Sequence, residues 1–390
     1  MPNAVRINML SRTTNNRCDK LDALPELTVN LAAVVDNWLH LKNQARGTVL
    51  CGAVLKADAY GLGAVPIAKV LFDAGCRNFF VAYPEEALEL ADQDFPETQI
   101  FILMGPDGRY LQKIREKGLI PVLSTIEHVE LWAKANASSS LTRACALQVE
   151  TGMHRLGLSV QSWEQILNDH VLWSHLNPAV VLSHLASADD ANSPQNRRQK
   201  KVFIGIVRKA QALKKNLMFS LANSAGVFLG DSFHFDLLRP GIALFGVDPT
   251  QGGTHSLRQV VTLKARILQI ETVQKGESIG YGASFCARED CRIATVAIGY
   301  ADGLPRSLEG SAYSIMLGRA ARIVGRISMD MTTFDVSKVP ARTLATMSHV
   351  EILGSINTVD KLARNSGITG YEVLTRIGQR VRRNYKRDIV

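Results

Sequence analysis

The chain has 390 residues, 46% of them hydrophobic and 21% charged, and a formal net charge of +9. This length calls for two domains or one barrel with an appendage, the composition is that of a globular enzyme, and no apolar run approaches the ~20 residues of a membrane span, so a soluble chain is expected. The positive charge is spread along the sequence, with its densest cluster at Arg376–Arg387 in a strand-like stretch, and it reads as a solvated face with no nucleic-acid partner.

Residues Met1–Leu24 are polar and lack the apolar core of a secretory signal, so a disordered extension and a cytoplasmic location are expected. Six cysteines, Cys18, Cys51, Cys76, Cys145, Cys286 and Cys291, are too scattered for a disulfide framework. Cys286 and Cys291 lack the second pair or nearby histidine of a zinc site, so no metal is expected. From Thr48 to about Gly246, short apolar runs alternate with amphipathic segments, the pattern of repeated βα units. Strands are predicted at Val49–Lys56, Asn78–Tyr83, Gln99–Met104, Ile120–Ser124, Ala144–Glu150, Ala179–His184, Met218–Asn223 and Phe235–Arg239. Between them Ala64–Ala74, Pro84–Asp92, Tyr110–Lys117, Ile126–Ala135, Val160–Asp169 and Pro194–Lys215 have the spacing of one-sided helices. The pattern predicts an α/β fold, a parallel (β/α)8 TIM-type barrel over residues 25–247, with an open doubly wound sheet as the alternative that periodicity leaves open. After Gly246 come β-rich segments between glycine turns: Val260–Val273, Arg292–Ile298, Ser314–Leu317, Ala321–Ile327 and Val350–Leu353. One helix is predicted at Val359–Ser366, and Glu372–Asn384 closes the chain, so residues 248–390 should form a mainly β domain.

Reactive groups of a β/α barrel gather at the C-terminal strand ends, where the predicted strands place Lys56, His184, Asn223 and Arg239. A lysine ending a buried strand is costly unless its charge is used or its pKa lowered, as a Schiff-base lysine requires; the alternative is a side chain snorkelling to the rim. Taken singly, Ser224 reads equally as a helix N-cap, Tyr281 as a turn aromatic between Gly280 and Gly282, Arg239 as a loop arginine and Met329 as core filling.

The blocks around these residues are more specific. They run Ala53-Val-Leu-Lys56-Ala-Asp-Ala-Tyr60-Gly-Leu-Gly63, Val149-Glu-Thr-Gly-Met-His-Arg155-Leu-Gly157, Ser183-His184-Leu-Ala-Ser-Ala-Asp189, Ala222-Asn223-Ser224-Ala225 and Leu238-Arg239-Pro-Gly241-Ile242-Ala-Leu-Phe-Gly246. In the second half stand Ile279-Gly-Tyr281-Gly282, Gly299-Tyr300-Ala-Asp302-Gly303, Gly325-Arg326-Ile-Ser-Met329-Asp330 and Gly370-Tyr371-Glu-Val373. In motif and order the chain resembles the pyridoxal-phosphate-dependent alanine racemases of fold type III over nearly all its length after residue 27.

The resemblance implies that Lys56 holds pyridoxal 5'-phosphate covalently and, once displaced by the amino group of alanine, acts as the base on the D-enantiomer face, with Tyr281 on the opposite face. A tyrosine base needs nearby positive charge, for which His184 and Arg239 are the candidates. Arg239 is implied to contact the pyridine nitrogen; a guanidinium cannot accept the ring proton, which favours simple reprotonation over transamination. The phosphate is implied to fall to Ser224, Gly241, Ile242, Tyr60 and Tyr371, with Asn223 and His184 in the same cofactor site. Arg155 is implied to reach the cofactor's phenolic oxygen and the substrate carboxylate, to which Met329 adds its backbone. Tyr300, Arg306, Arg326 and Asp189 resemble residues of a substrate corridor. Tyr281 and Met329 would complete the partner's site in a homodimer that supplies D-alanine for peptidoglycan. One departure stands out: seven residues before Arg155, where a lysine is common in the family, this chain has Gln148, an amide without charge. The rival readings are a racemase of broader specificity and a noncatalytic carrier of the cofactor, which would lack the β domain and Tyr281.

Overall fold

A computed structural model describes residues 24–214, 216–252, 255–310, 312–316 and 319–387. The expected extension, apart from Leu24, lies outside them, as do Cys18, Lys215 and Leu317.

The first strand, β1 (Glu26–Asn30), belongs to the second sheet although it precedes the barrel in sequence. It is followed by helix Leu31–Lys42, capped by Asn30, whose side chain accepts from Ala33 N at 2.9 Å. Neither element is among those predicted. The helix buries Val34, Trp38 and Leu41, and its fully enclosed Asn37 donates to Leu244 O and Arg258 O at 3.1 and 2.8 Å, so a costly buried amide is fully used.

The barrel follows as β2 (Leu50–Cys51) running on into β3 (Ala53–Val54), β4 (Asn78–Val81), β5 (Gln99–Ile102), β6 (Ile120–Leu123), β7 (Cys145–Gln148), β8 (Pro178–Leu182), β9 (Met218–Ser220) and β10 (Leu237–Leu238). Neighbours from β3 to β9 pair in parallel in sequence order. β10 pairs with β2, and bonds from Asp236 N to Phe219 O and from Arg239 N to Ala222 O join it to β9, so the sheet closes as the predicted barrel rather than the open alternative. All eight strands lie within the predicted ranges but for Pro178, a residue before the expected Ala179. The interior is filled by Val54, Phe80, Phe101, Ile120, Val122, Ala146, Val180, Leu182 and Leu237, with Phe80 and Phe101 stacked at 4.5 Å. Helices Ala64–Asp73, Pro84–Ala91, Leu111–Glu116, Ile126–Ala137, Val160–Asn168 and Pro194–Gln211 surround it as expected, with His170–Leu176 in addition.

The second sheet is built on β11 (Val261–Val273), with β14 (Cys291–Val296), β15 (Ala312–Met316), β16 (Arg319–Ile323), β17 (Thr332–Asp335), β18 (His349–Leu353) and β19 (Arg382–Lys386). Its order is β15-β16-β17-β14-β11-β1-β19, with β18 also on β11. β12 (Ser278–Ile279) and β13 (Phe285–Cys286) form a separate hairpin. Helix Val359–Ser366 stands where predicted, whereas Glu372–Asn384 divides into helix Gly370–Thr375 and β19. Among the described residues no helix is long and apolar enough to cross a membrane.

Candidate active site

A cavity of about 670 Å³ opens at the C-terminal mouth of the barrel. Its lining unites Lys56 and Tyr60 after β3, Gln148 and Arg155 at and beyond β7, His184 after β8, Asn223 and Ser224 after β9, Arg239, Gly241 and Ile242 after β10, and Tyr371 from the β domain. Every residue expected to hold the cofactor therefore lies on one wall or another of this space.

The backbone after Lys56 is unusual. Ala57, Asp58, Ala59 and Tyr60 take φ of 53°, 52°, 50° and 58°, a left-handed turn of four residues that all carry side chains. Such a turn costs on the order of 1–2 kcal/mol per residue, and it persists because its surroundings over-determine it. Ala59 N donates to Leu55 O at 2.8 Å, Gly63 N to Asp58 O at 2.9 Å and Ala64 N to Asp58 Oδ1 at 2.6 Å. Arg383 of the β domain donates to Gly61 O at 2.8 Å, tying the turn to the second sheet.

The cavity is electropositive: Lys56, Arg155 and Arg239 line it, and among the described residues no carboxylate does. Burial lowers the Lys56 amine below its ordinary pKa, repulsion from Arg155 lowers it further, and Glu86 opposes both. Arg239 is fully enclosed, donating to Ser220 Oγ and, at 2.6 Å, to Ser183 O; burial brings its pKa down to about 10, so it remains charged at neutral pH. Among the described residues no carboxylate pairs with it, which removes the loop-arginine reading. His184 requires a correction. Burial first, then Arg239, Arg155 and Lys56, push its pKa down to about 3, so it is neutral at pH 7 and cannot share with Arg239 the role of positive group. Its Nε2 lies 3.4 Å from Asn223 Nδ2, which can donate to it. Asn223 Oδ1 meanwhile accepts from Gly226 N at 2.9 Å as the N-cap of helix Ser224–Val227.

On the same lining as Lys56, Ser224 Oγ accepts from Gly241 N at 2.8 Å and from Ala243 N at 3.4 Å, so two backbone donors converge on this hydroxyl. A Cβ on Gly241 would lie 2.3 Å from the Tyr60 hydroxyl, which explains the glycine. The Tyr60 ring lies tilted against those of Phe245 and Tyr371, at 5.1 and 6.0 Å between ring centres. Burial raises both tyrosine hydroxyls, that of Tyr371 to about 12, and both remain protonated donors at neutral pH. Gln148 is buried and its Nε2 donates to Leu156 O at 2.6 Å, so it fixes the backbone beside Arg155.

Tyr281, Tyr300 and Met329 are not in the lining of this cavity; they sit on the β domain, 71%, 42% and 53% exposed. Tyr281 rides the β12–β13 turn between Gly280 and Gly282, beside Arg326. Tyr300 and Met329 are drawn together by bonds from Tyr300 N to Ser328 O and from Ala301 N to Met329 O at 3.1 and 3.0 Å. Gly299 permits this, because a Cβ there would lie 2.2 Å from Met329 O. Arg380 clasps Asp302 and Asp330 behind them, both at 2.7 Å. Arg306 lies over the Tyr300 ring at 5.9 Å. Asp189 lines a second cavity of about 390 Å³ that shares His184, Asn223 and Tyr371 with the first.

Two residues near the site have no place in the sequence expectations. Gln199 is completely buried and donates to His184 O at 2.8 Å and Thr151 Oγ1 at 3.1 Å, fixing the end of β8 from the helix behind; a polar residue on an apolar helix face was its signal. Glu86 accepts from Tyr83 N at 3.1 Å, and its signal was the third position of the helix that Pro84 opens.

Comparison with known proteins agrees with this architecture. Residues 29–249 match the family model described as alanine racemase, N-terminal domain, and residues 260–385 the model described as alanine racemase, C-terminal domain. An alanine racemase of Rhodospirillum rubrum is 41% identical over 367 residues, spanning 94% of this chain and 96% of the relative. The crystal structure of alanine racemase from Bartonella henselae with covalently bound pyridoxal phosphate superposes with a TM-score of 0.86 at 34% identity, over 94% of this chain and 100% of that one. That of alanine racemase from Bacillus anthracis with bound L-Ala-P gives 0.84 at 27% identity, over 94% and 96%. With both halves matched, the order of strands, cavity and β domain intact, and relatives spanning nearly the full length, the chain belongs to the alanine racemase family.

Proposed function

We propose that the chain interconverts L-alanine and D-alanine with pyridoxal 5'-phosphate held covalently at Lys56, and that two copies share their sites, each lending Tyr281 and Met329 to the other. The observation that carries this reading is the cavity lining: a half-buried lysine of lowered pKa, three cations without a carboxylate, and backbone donors converging beside Ser224. An anionic, phosphate-bearing ring fits those residues, and the Bartonella henselae relative carries pyridoxal phosphate covalently bound.

When bound, the cofactor supplies a conjugated ring that delocalises the electron pair left by loss of the α-proton. The protein's task is to orient the substrate and to hold a proton acceptor on each face. Arg155 offers its guanidinium to the substrate carboxylate. Lys56, its amine disposed towards the neutral form by burial and by Arg155, takes the proton on the D-alanine face. Tyr281 of the second copy takes it on the other. Arg239, charged and without a lone pair to accept a proton, would hold the cofactor's ring nitrogen without taking a proton from it. A noncatalytic carrier of the cofactor would have no use for the exposed Tyr281, Tyr300 and Met329 of the β domain. The enzyme is assigned to the cytoplasm, supplying D-alanine for peptidoglycan; the buried Cys51, Cys76, Cys145 and Cys291 are unbridged thiols, as a reducing compartment allows.

Proton exchange with solvent tests the two faces. In D2O, Tyr281→Phe should slow deuterium entry into L-alanine by about 100-fold or more while leaving entry into D-alanine much less affected. Equal losses for both enantiomers, followed by NMR, refute the assignment.

A further inference from the structure

Glu86 joins two segments that meet at the cavity. The Ala57 amide, the first after Lys56, donates to Glu86 Oε1 at 2.6 Å. The other oxygen, Oε2, accepts from Ala82 N at 2.6 Å and Tyr83 N at 3.1 Å, where β4 passes into helix Pro84–Ala91. The strained turn thus begins at an amide held by an acid from the neighbouring βα unit, while the bonds from Ala59 N to Leu55 O and from Gly63 N and Ala64 N to Asp58 fix the rest of it. Around the Lys56 amine the other groups are cationic or neutral: Arg155 and Arg239, with His184, Tyr60 and Tyr371 on the same lining. Glu86 is the acid whose charge acts on that amine.

We propose that Glu86 is a positioning residue for Lys56, pinning the lysine's backbone at the entry to the left-handed turn and keeping one negative charge beside its amine. The inference rests on the reading that Lys56 carries the cofactor. A carboxylate suits both tasks, because it accepts three backbone N–H bonds at once and supplies the charge that the cationic cavity lacks. Glu86→Gln retains the shape, removes the charge and turns an NH2 group towards one set of backbone donors.

The test uses two readouts. In the cofactor-free protein, the rate of Lys56 acylation by an amine-directed reagent, followed by peptide mass spectrometry across pH, gives the amine's titration midpoint. In the reconstituted protein, the pH dependence of the visible absorbance of the lysine-bound cofactor gives a second midpoint. Both should move to lower pH in Glu86→Gln, with turnover reduced at least several-fold. A folded Glu86→Gln protein with wild-type midpoints overturns the proposal, since a mere helix cap would change melting temperature alone. If that variant does not fold, Glu86→Asp serves: it keeps the charge and withdraws it from Ala57 N by one methylene, so the midpoints should fall and turnover slow, and wild-type values overturn the idea. Wild-type protein that shows no cofactor absorbance tied to Lys56 would instead refute the underlying assignment, so the two failures are distinguishable.

Discussion

Mixing two inactive variants is the strongest test of a shared site. Lys56 lines the barrel cavity, whereas Tyr281 stands 71% exposed on the β domain outside that lining. If each site takes Lys56 from one copy and Tyr281 from the other, Lys56→Ala and Tyr281→Phe homodimers should each lose on the order of 100-fold or more of wild-type activity, the usual worth of a positioned acid or base. Equal amounts re-paired at random give half heterodimers. A heterodimer contains one site with both substitutions and one with neither. Intact sites are then about one quarter of the total, so activity should return to about a quarter of the wild-type value, well above the sum of the parents. The assay is a chiral measurement of D-alanine formed from L-alanine after co-expression with two different tags and purification through both, which for pure heterodimer raises the expectation to about one half. Activity no higher than that of the parents, with heterodimer confirmed by native mass spectrometry, would refute the shared site. It would require Lys56 and Tyr281 to serve one site within a single chain.

Two further outcomes follow from the geometry. His184 has a folded pKa of about 3 against an ordinary 6.5, so the unfolded chain binds more protons between those values and stability should fall as pH drops below about 6.5, by about 1.4 kcal/mol per unit from this group. Denaturant titrations at pH 7, 6 and 5 should show that slope reduced in His184→Gln; parallel curves for variant and wild type would contradict the buried neutral ring. Gly299→Ala forces a methyl to within 2.2 Å of Met329 O, a backbone atom, and should cost about 1–3 kcal/mol while separating Tyr300 from Met329. Thermal melting with steady-state kinetics checks this, and a wild-type Tm with wild-type kcat would show that the two segments need no such approach.

The barrel was legible because its strands are buried on both sides and its helices on one, which gives short apolar runs and 3.6-residue periodicity their contrast. Strand β1 was not, because its five residues, Glu-Leu-Thr-Val-Asn, alternate for only two buried positions, Leu27 and Val29, and their partners lie more than 200 residues away in β11 and more than 300 away in β19. Pairing over that separation leaves no mark in a local window.

At the site, strand ends drew attention to Lys56, His184, Asn223 and Arg239, but the physics that makes them useful is collective. Nothing in the composition of Ala57-Asp-Ala-Tyr60 announces four positive φ values, since no glycine is there to relieve them. The turn exists through bonds from Glu86, Asp58 and Arg383, residues up to 322 positions from the peptide they hold. Likewise the low pKa of His184 follows from its burial among Arg239, Arg155 and Lys56, each harmless as a neighbour in sequence. Gln148 illustrates the converse: its identity was plain from sequence, yet its consequence depends on which atom its amide meets. With Nε2 committed to Leu156 O, the loop holding Arg155 is fixed through the backbone, so an uncharged residue can steady a cation that it does not neutralise.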